Sequence, residues 1–252
     1  MNGRPLSRAL SGFLFAAVMA SGFTVDRMAV AQSAQPAPAS TVADVRQMGA
    51  DARKDIEAYT AAGGAAGGAD HPAIKWTAAM WQVHDAAPNS EAGALAALDA
   101  IRLLVRAELW DRAHGRVESL GADDPAWVRV ASAVYEEAVA RKSFDYAVTT
   151  LTRIAAATKT PTIKSAALLV IGRVHRRQGD LPAATRVFEE ARAAAPGTPQ
   201  AEEADGLVYE VAHLSVGLPA PAISGKPRNA RRAITLESFR GKPVVLVFWA
   251  ST

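Results

Sequence analysis

The 252-residue chain contains no cysteine. Disulfides, thiolate metal sites and thiol catalysis are therefore excluded within these residues, and so is anchoring through a lipidated cysteine. Aromatic residues are scarce at 6%, although half of the chain is apolar. Much of that apolar content is alanine, the strongest helix former and small enough to let helices approach closely. Composition alone therefore points to a mainly helical body. A strong excess of one charge is also missing. The formal net charge is +3, and Arg4, Arg8 and Arg27 against Asp26 place +2 of it in the first 31 residues. The remainder is nearly neutral and has no general electrostatic reason to seek phosphate backbones or acidic membranes.

Chemical constellations are equally sparse. His71, His84, His114, His175 and His213 show no i,i+4 pairing and no HExxH arrangement, so each reads as a packing or surface residue and none as a metal ligand. The pairs Glu136-Glu137, Glu189-Glu190 and Glu202-Glu203 occupy adjacent helical positions that point apart, which predicts solvated faces. Arg231-Arg232 sits in a loop-like stretch and reads as solvated, with a basic anchor for a partner as the alternative. No serine stands in a nucleophile-elbow context. Ala61 to Ala69 (AAGGAAGGA) lacks the Lys-Ser/Thr ending of a phosphate-cradling loop and reads as a flexible connector. No catalytic, cofactor-binding or metal-binding residue is nominated, and no cofactor is expected.

What is present begins with a leader. Arg4 and Arg8 precede a short apolar stretch, Ala9 to Phe23, interrupted by Gly12, Ser21 and Gly22. This is the pattern of a secretory signal peptide, and it is too short for a comfortable membrane span. Ala29-Val30-Ala31 offers cleavage before Gln32, giving a signal over residues 1–31; Val18-Met19-Ala20 is a second cleavage candidate, and an uncleaved anchor is the alternative. Residues 32–40 (QSAQPAPAS) form an extended Ala/Pro/Gln linker. The expectation is an exported protein, periplasmic or extracellular, with no membrane span once the signal is removed.

Residues 41–214 carry a period. In Ser165 to Thr198, Leu168, Ile171 and Gly172 share one face of a first helix, with His175 a turn later. Gly179-Asp180 breaks the helix, Ala184, Phe188 and Ala191 line a second, and Pro196 stops it. These residues and spacings resemble the tetratricopeptide repeat, with His175 where that pattern usually has Tyr. Small Gly172 and Ala184 let the two helices touch, and Phe188 and Leu168 fill the groove between them. One such pair cannot bury its own apolar face, so pairs must stack.

Weaker copies lie upstream. Placing Ala147 in the role of Ala184 puts Ala131, Val134, Leu151 and Ile154 at apolar positions. Placing Ala113 there does the same for Ala97, Ile101, Leu104, Val117 and Leu120. The steps are 34 residues from Ala113 to Ala147 and 37 from Ala147 to Ala184, the longer one implying an extended turn around Thr158 to Pro161. Asp124 and Pro125 predict an N-cap and first turn. Ala73, Trp76, Met80 and Val83 predict a further amphipathic helix, and Val42, Val45, Ala52, Ile56 and Tyr59 an earlier one. A last helix is expected over Pro199 to Leu214. Such stacks present a concave surface for a protein partner; equally, this one could only pack against a neighbouring domain.

The character changes over residues 215–252. Leu236 to Phe239 predicts a single helical turn, Gly241-Lys242-Pro243 a tight turn, and Val244 to Ala250 a strand buried on both faces of a sheet. Gly217-Leu218-Pro219-Ala220-Pro221, then Leu236 to Pro243 (LESFRGKP), then Val247-Phe248-Trp249-Ala250-Ser251 resemble the opening of the thioredoxin-like redoxin family, which includes AhpC/TSA-type and TlpA-type proteins. The resemblance covers about the last forty residues. Together with the repeats it implies a mainly α protein, a solenoid of stacked helix pairs followed by the first β elements of an incomplete thioredoxin-like α/β domain. In the family that strand leads to Cys-x-x-Cys at a helix N-terminus, where the first thiol is acidified and the second resolves the mixed disulfide. Here Ala222-Ile223 replaces the usual Asp-Phe, Thr252 stands where Trp often precedes the first cysteine, and neither cysteine is present. The chain as given is expected to lack thiol chemistry and to be an incomplete sequence. The intact parent is implied to be a thiol–disulfide oxidoreductase or peroxiredoxin-like antioxidant with a redox partner. The alternative is a non-enzymatic adaptor built on the repeats.

Overall fold

A computed structural model describes residues 41–225 and 233–247. The signal and linker expectations for residues 1–40, the Arg231-Arg232 pair and the Phe248 to Ser251 part of the redoxin-like motif lie outside the described residues. Nine helices account for most of what is described: α1 (Val42–Ala61), α2 (Ala73–Ala86), α3 (Glu91–Arg106), α4 (Trp110–Ser119), α5 (Trp127–Arg141), α6 (Asp145–Ala157), α7 (Pro161–Gln178), α8 (Leu181–Ala194) and α9 (Pro199–His213). None is long and apolar enough to cross a membrane.

Local chemistry sets the boundaries. Thr41 opens α1 with a reciprocal cap: its hydroxyl accepts from Asp44 N, and its own N–H donates to Asp44 Oδ2. Between α7 and α8, Gly179 takes the left-handed φ of 83° that ends a helix, and Asp180 Oδ1 accepts from Ala183 N to begin the next. Asp123 Oδ1 accepts from Thr158 Oγ1 at 2.8 Å and Lys159 N at 2.7 Å, fixing the longer turn before Pro161.

Packing follows the sequence period. α2 lies on α3, α6 on α7, α7 on α8 and α8 on α9, while α1, α3, α5, α7 and α9 form a continuous row, each touching the next. The apolar positions read from the three repeat alignments are buried throughout, from Ala97, Ile101 and Leu104 to Ala184, Phe188 and Ala191. Gly172 faces the Phe188 ring so closely that a β-carbon there would collide with Cδ1 and Cε1. That contact is the reason a glycine interrupts an otherwise strong helix.

Four expectations require correction. α5 begins at Trp127 with Ala126 at its cap position, two residues beyond the expected Asp124. Asp124 instead braces a turn through Ala126 N at 2.9 Å and turns its other oxygen toward His84, while Trp127 Nε1 donates to Gly121 O. The glycine-rich connector is wrapped around a side chain: the Tyr59 ring packs against Gly64 and Gly68, its hydroxyl reaches Asp70, and Gly67 N donates to Ala107 O. Glu137 is buried, as described below. Finally, Val244–Val247 is not in a strand and stands 43–87% exposed. A strand covered on both faces needs pairing partners and flanking helices, and none of the described residues provides a neighbouring strand for this run. The segment before it holds a two-residue antiparallel ladder that sequence reading did not anticipate, β1 (Ser224–Gly225) with β2 (Ile234–Thr235), in the register Ser224 to Thr235. The predicted turns follow it: Leu236–Phe239 is one 3₁₀ turn, and Gly241 has φ of 85°.

Candidate functional site

The row of odd-numbered helices carries a ladder of ion pairs. Arg129 on α5 reaches Glu91 on α3, and Arg102 on α3 donates to both oxygens of Glu136 on α5 at 2.5–3.0 Å. Two steps on, Arg176 on α7 makes a forked pair with Glu210 on α9 at 3.0 and 2.6 Å, and Arg173 pairs with Glu203. Arg102 to Glu136 and Arg176 to Glu210 are each 34 positions apart. The other two pairs span 38 and 30 positions, so every pair joins one odd-numbered helix to the next without sharing one register. Exposed pairs of this kind add little stability, typically about 0–1 kcal/mol each; their effect is to hold long side chains in fixed directions.

Between α5, α7 and α9 the ladder borders a cavity of about 360 Å³ lined by Tyr135, Arg173, Arg176, Arg177 and Leu207. Arg177 is exposed and has no acidic partner among the described residues. Guanidinium groups and the Tyr135 and Leu207 side chains can bind and orient a ligand, and Tyr135 supplies the one hydroxyl among these lining residues.

Two buried polar clusters lie on other faces. Glu137 on α5 has a side chain only 4% exposed and accepts from Arg141 Nη1 at 3.0 Å; His114 Nε2 on α4 lies 2.8 Å from the same oxygen. His114 stacks on Tyr146 of α6 with ring centroids 3.6 Å apart, and burial pushes the Tyr146 hydroxyl up to about 12. Glu137 therefore ties α5 to α4, and His114 carries the contact on to α6, where a solvated face was expected. Its position was legible: it lies one turn beyond Val134 on the buried stripe of α5.

His84 on α2 is the second cluster. Nε2 lies 3.2 Å from Asp124 Oδ2, and Nδ1 lies 3.3 Å from the Gly93 carbonyl of α3. Both nitrogens face acceptors, so only the doubly protonated ring can donate to both. The bond to Asp124 raises its pKa despite opposing burial; Asp85 adds to the rise, and Arg116 lines a second cavity together with His84, Asp85 and Asp124. With both nitrogens engaged, His84 is unavailable as a base or metal ligand. Its stabilisation is complete below the unfolded pKa of about 6.5 and is lost as pH rises through the higher folded value. The wild-type urea midpoint is expected to fall across that window more steeply than that of His84→Gln, and parallel pH profiles would refute the assignment.

Among the remaining histidines, His71 is buried with Nδ1 accepting from Ala73 N, and His213 is exposed beside Tyr209. Within the described residues no three His, Cys, Asp or Glu side chains are grouped to hold a metal. Sequence reasoning had not singled out Arg173, Arg176 and Arg177; the signal was the Arg-x-x-Arg-Arg run on α7, with Arg173 in register with Glu136 one repeat earlier and Arg102 two repeats earlier. Comparison with family models, curated proteins and solved structures found no match to this chain.

Proposed function

We propose that this is an exported protein joining a tetratricopeptide-like helical stack to the opening of a thioredoxin-like redoxin domain, and that the whole protein handles thiols, disulfides or peroxides. The observation that carries the redox half is an order of elements. A single 3₁₀ turn at Leu236–Phe239 and a left-handed Gly241 precede the uncharged run Val244–Val247, whose side chains are largely open to solvent. That order matches the redoxin-like motifs read from the sequence, and an apolar run left open suits a strand whose sheet lies in further chain. The continuous row of odd-numbered helices, each touching the next, and the Gly172–Phe188 contact support the repeat half. Because these 252 residues contain no cysteine, thiol chemistry would rest on cysteines following Thr252, the first acidified by a helix N-terminus and the second resolving the mixed disulfide. A protein extended through that region is expected to reduce a protein disulfide or consume peroxide, and to lose this on Cys→Ser substitution of the first cysteine. An extended protein inactive in both assays contradicts the reading.

The arginine-lined groove favours a second reading, a non-enzymatic adaptor whose odd-helix face holds a protein partner. A chain ending near Leu214 would then be soluble and retain its partner, and failure to retain any partner counts against it.

A further inference from the structure

We infer that a third cavity, where α1, the glycine-rich connector and α2 meet, binds a free aliphatic α-amino acid. This goes beyond both readings above and depends on neither. The cavity has a volume of about 530 Å³, and its polar lining is Asp55, Asp70, His71 and Lys75. That size suits a small organic ligand. His71 is the residue that points to one. It is 5% exposed, and its Nδ1 accepts from Ala73 N at 3.1 Å, which places the ring proton on Nε2. Nε2 has no hydrogen-bond partner among the described residues, yet it is not sealed in: Tyr146 Oη is the one fully buried side-chain polar atom there without a partner. Since His71 lines the cavity, its free N–H opens onto that space. A donor in so enclosed a position favours a ligand that brings an acceptor.

Asp70 supplies the opposite chemistry. Its Oδ1 accepts from the Tyr59 hydroxyl at 2.9 Å, and Oδ2 has no partner among the described residues. Lys75 pairs with Asp55 at 3.0 Å, which leaves Asp70 without a cationic partner there. A carboxylate lacking a cation thus adjoins, on the next residue, an N–H lacking an acceptor. The matching ligand carries an ammonium group beside an acceptor, the order of the two charged groups on the α-carbon of an amino acid. A polyamine would leave the His71 N–H unpaired, and a simple anion would meet Asp55 and Asp70. Ala58, Pro72 and Ile74 line the same cavity and offer apolar surface to an aliphatic side chain. The site is also preformed. Tyr59 holds the connector through Gly64, Gly68 and Asp70, and Gly67 N donates to Ala107 O, so little freedom is lost when a ligand arrives.

The test is an NMR titration of the full, isotopically labelled chain with L-leucine. It is followed at the His71 ring and at the Trp76 indole N–H, which donates to Asp55 at 2.8 Å. Saturable shifts at both are expected, with a Kd on the order of 1 mM or below. N-acetyl-leucine lacks the ammonium group and isopentylamine lacks the carboxylate; each is expected to bind at least about tenfold more weakly than leucine. Asp70→Asn keeps an acceptor for the Tyr59 hydroxyl but removes the charge, and is expected to weaken leucine by a similar factor. Leucine that shifts neither signal overturns the inference. So does N-acetyl-leucine binding as tightly as leucine, because the ammonium group would then play no part. Leucine binding that Asp70→Asn leaves unchanged places the site elsewhere and also overturns it. Tighter binding of leucyl-glycyl-glycine than of leucine would assign the cavity to a peptide N-terminus and contradict the ligand class.

Discussion

Phe188→Ala is expected to cost about 3–5 kcal/mol of folding stability. The ring is fully buried, and Gly172, which it covers, has no side chain that could move into the space left behind. For a helical body of this size the loss corresponds to a fall in Tm of roughly 6–20 °C. The partner substitution sharpens the test. Gly172→Ala gains up to about 1 kcal/mol of helix propensity, but its methyl group meets the aromatic ring, and overpacking of this kind costs about 1–3 kcal/mol. Introduced into Phe188→Ala, the same methyl enters a cavity, so it should stabilise. The sign of Gly172→Ala therefore reverses between the two backgrounds, a coupling that urea unfolding of the four proteins measures directly. A loss below about 1 kcal/mol for Phe188→Ala, or additive effects in the double variant, would mean that α7 and α8 do not pack as described.

Arg141→Ala is expected to destabilise by about 2–3 kcal/mol, whereas Glu137→Met should cost less than about 1 kcal/mol. The asymmetry comes from burial. The Glu137 carboxylate is nearly inaccessible and depends on Arg141 and His114 for its hydrogen bonds. Removing the arginine leaves a buried carboxylate with one partner, and that cost is only moderated by the partial exposure of the guanidinium and by the remaining histidine. Removing the glutamate lets Arg141 turn into solvent, near the Trp110 face it already approaches, while methionine fills a similar volume. Equal costs for the two substitutions would show that the cluster is a surface ion pair of the ordinary weak kind.

These cases also show where the sequence was readable. Helices α1 to α9 were legible because apolar stripes recur at helical spacing and because Gly179-Asp180 and Pro196 punctuate the last of them. The 37-residue step was legible as a longer turn, though the Asp123 bonds that hold it join positions 35 and 36 apart. Glu137 was misread because adjacent glutamates that point apart were both assigned to solvated faces, when helical register places one of them on the buried stripe. His84 shows the same limit: it looked inert as an isolated histidine, and its two acceptors come from α3 and the turn before α5. The glycine-rich connector looked featureless because its organising contact is Tyr59, a half-buried ring at the end of α1. Val244–Val247 was readable as β-prone, but strand formation depends on neighbours that the local pattern does not contain.

The chain changes character near Leu214, where α9 ends. Among the described residues the helical half closes its own core, and the segment after it leaves Val216, Val245 and Val247 open to solvent. An uncharged β-prone run exposed in this way favours aggregation unless it is paired, which is the physical reason to link it to a redoxin sheet. The most direct measurement is to read the coding sequence through and beyond codon 252. The redoxin account predicts a Cys-x-x-Cys within a few residues of Thr252, followed by further alternating strand and helix pattern. A stop codon there, or a continuation without cysteine, would contradict it and leave the odd-helix face as the functional surface of this chain.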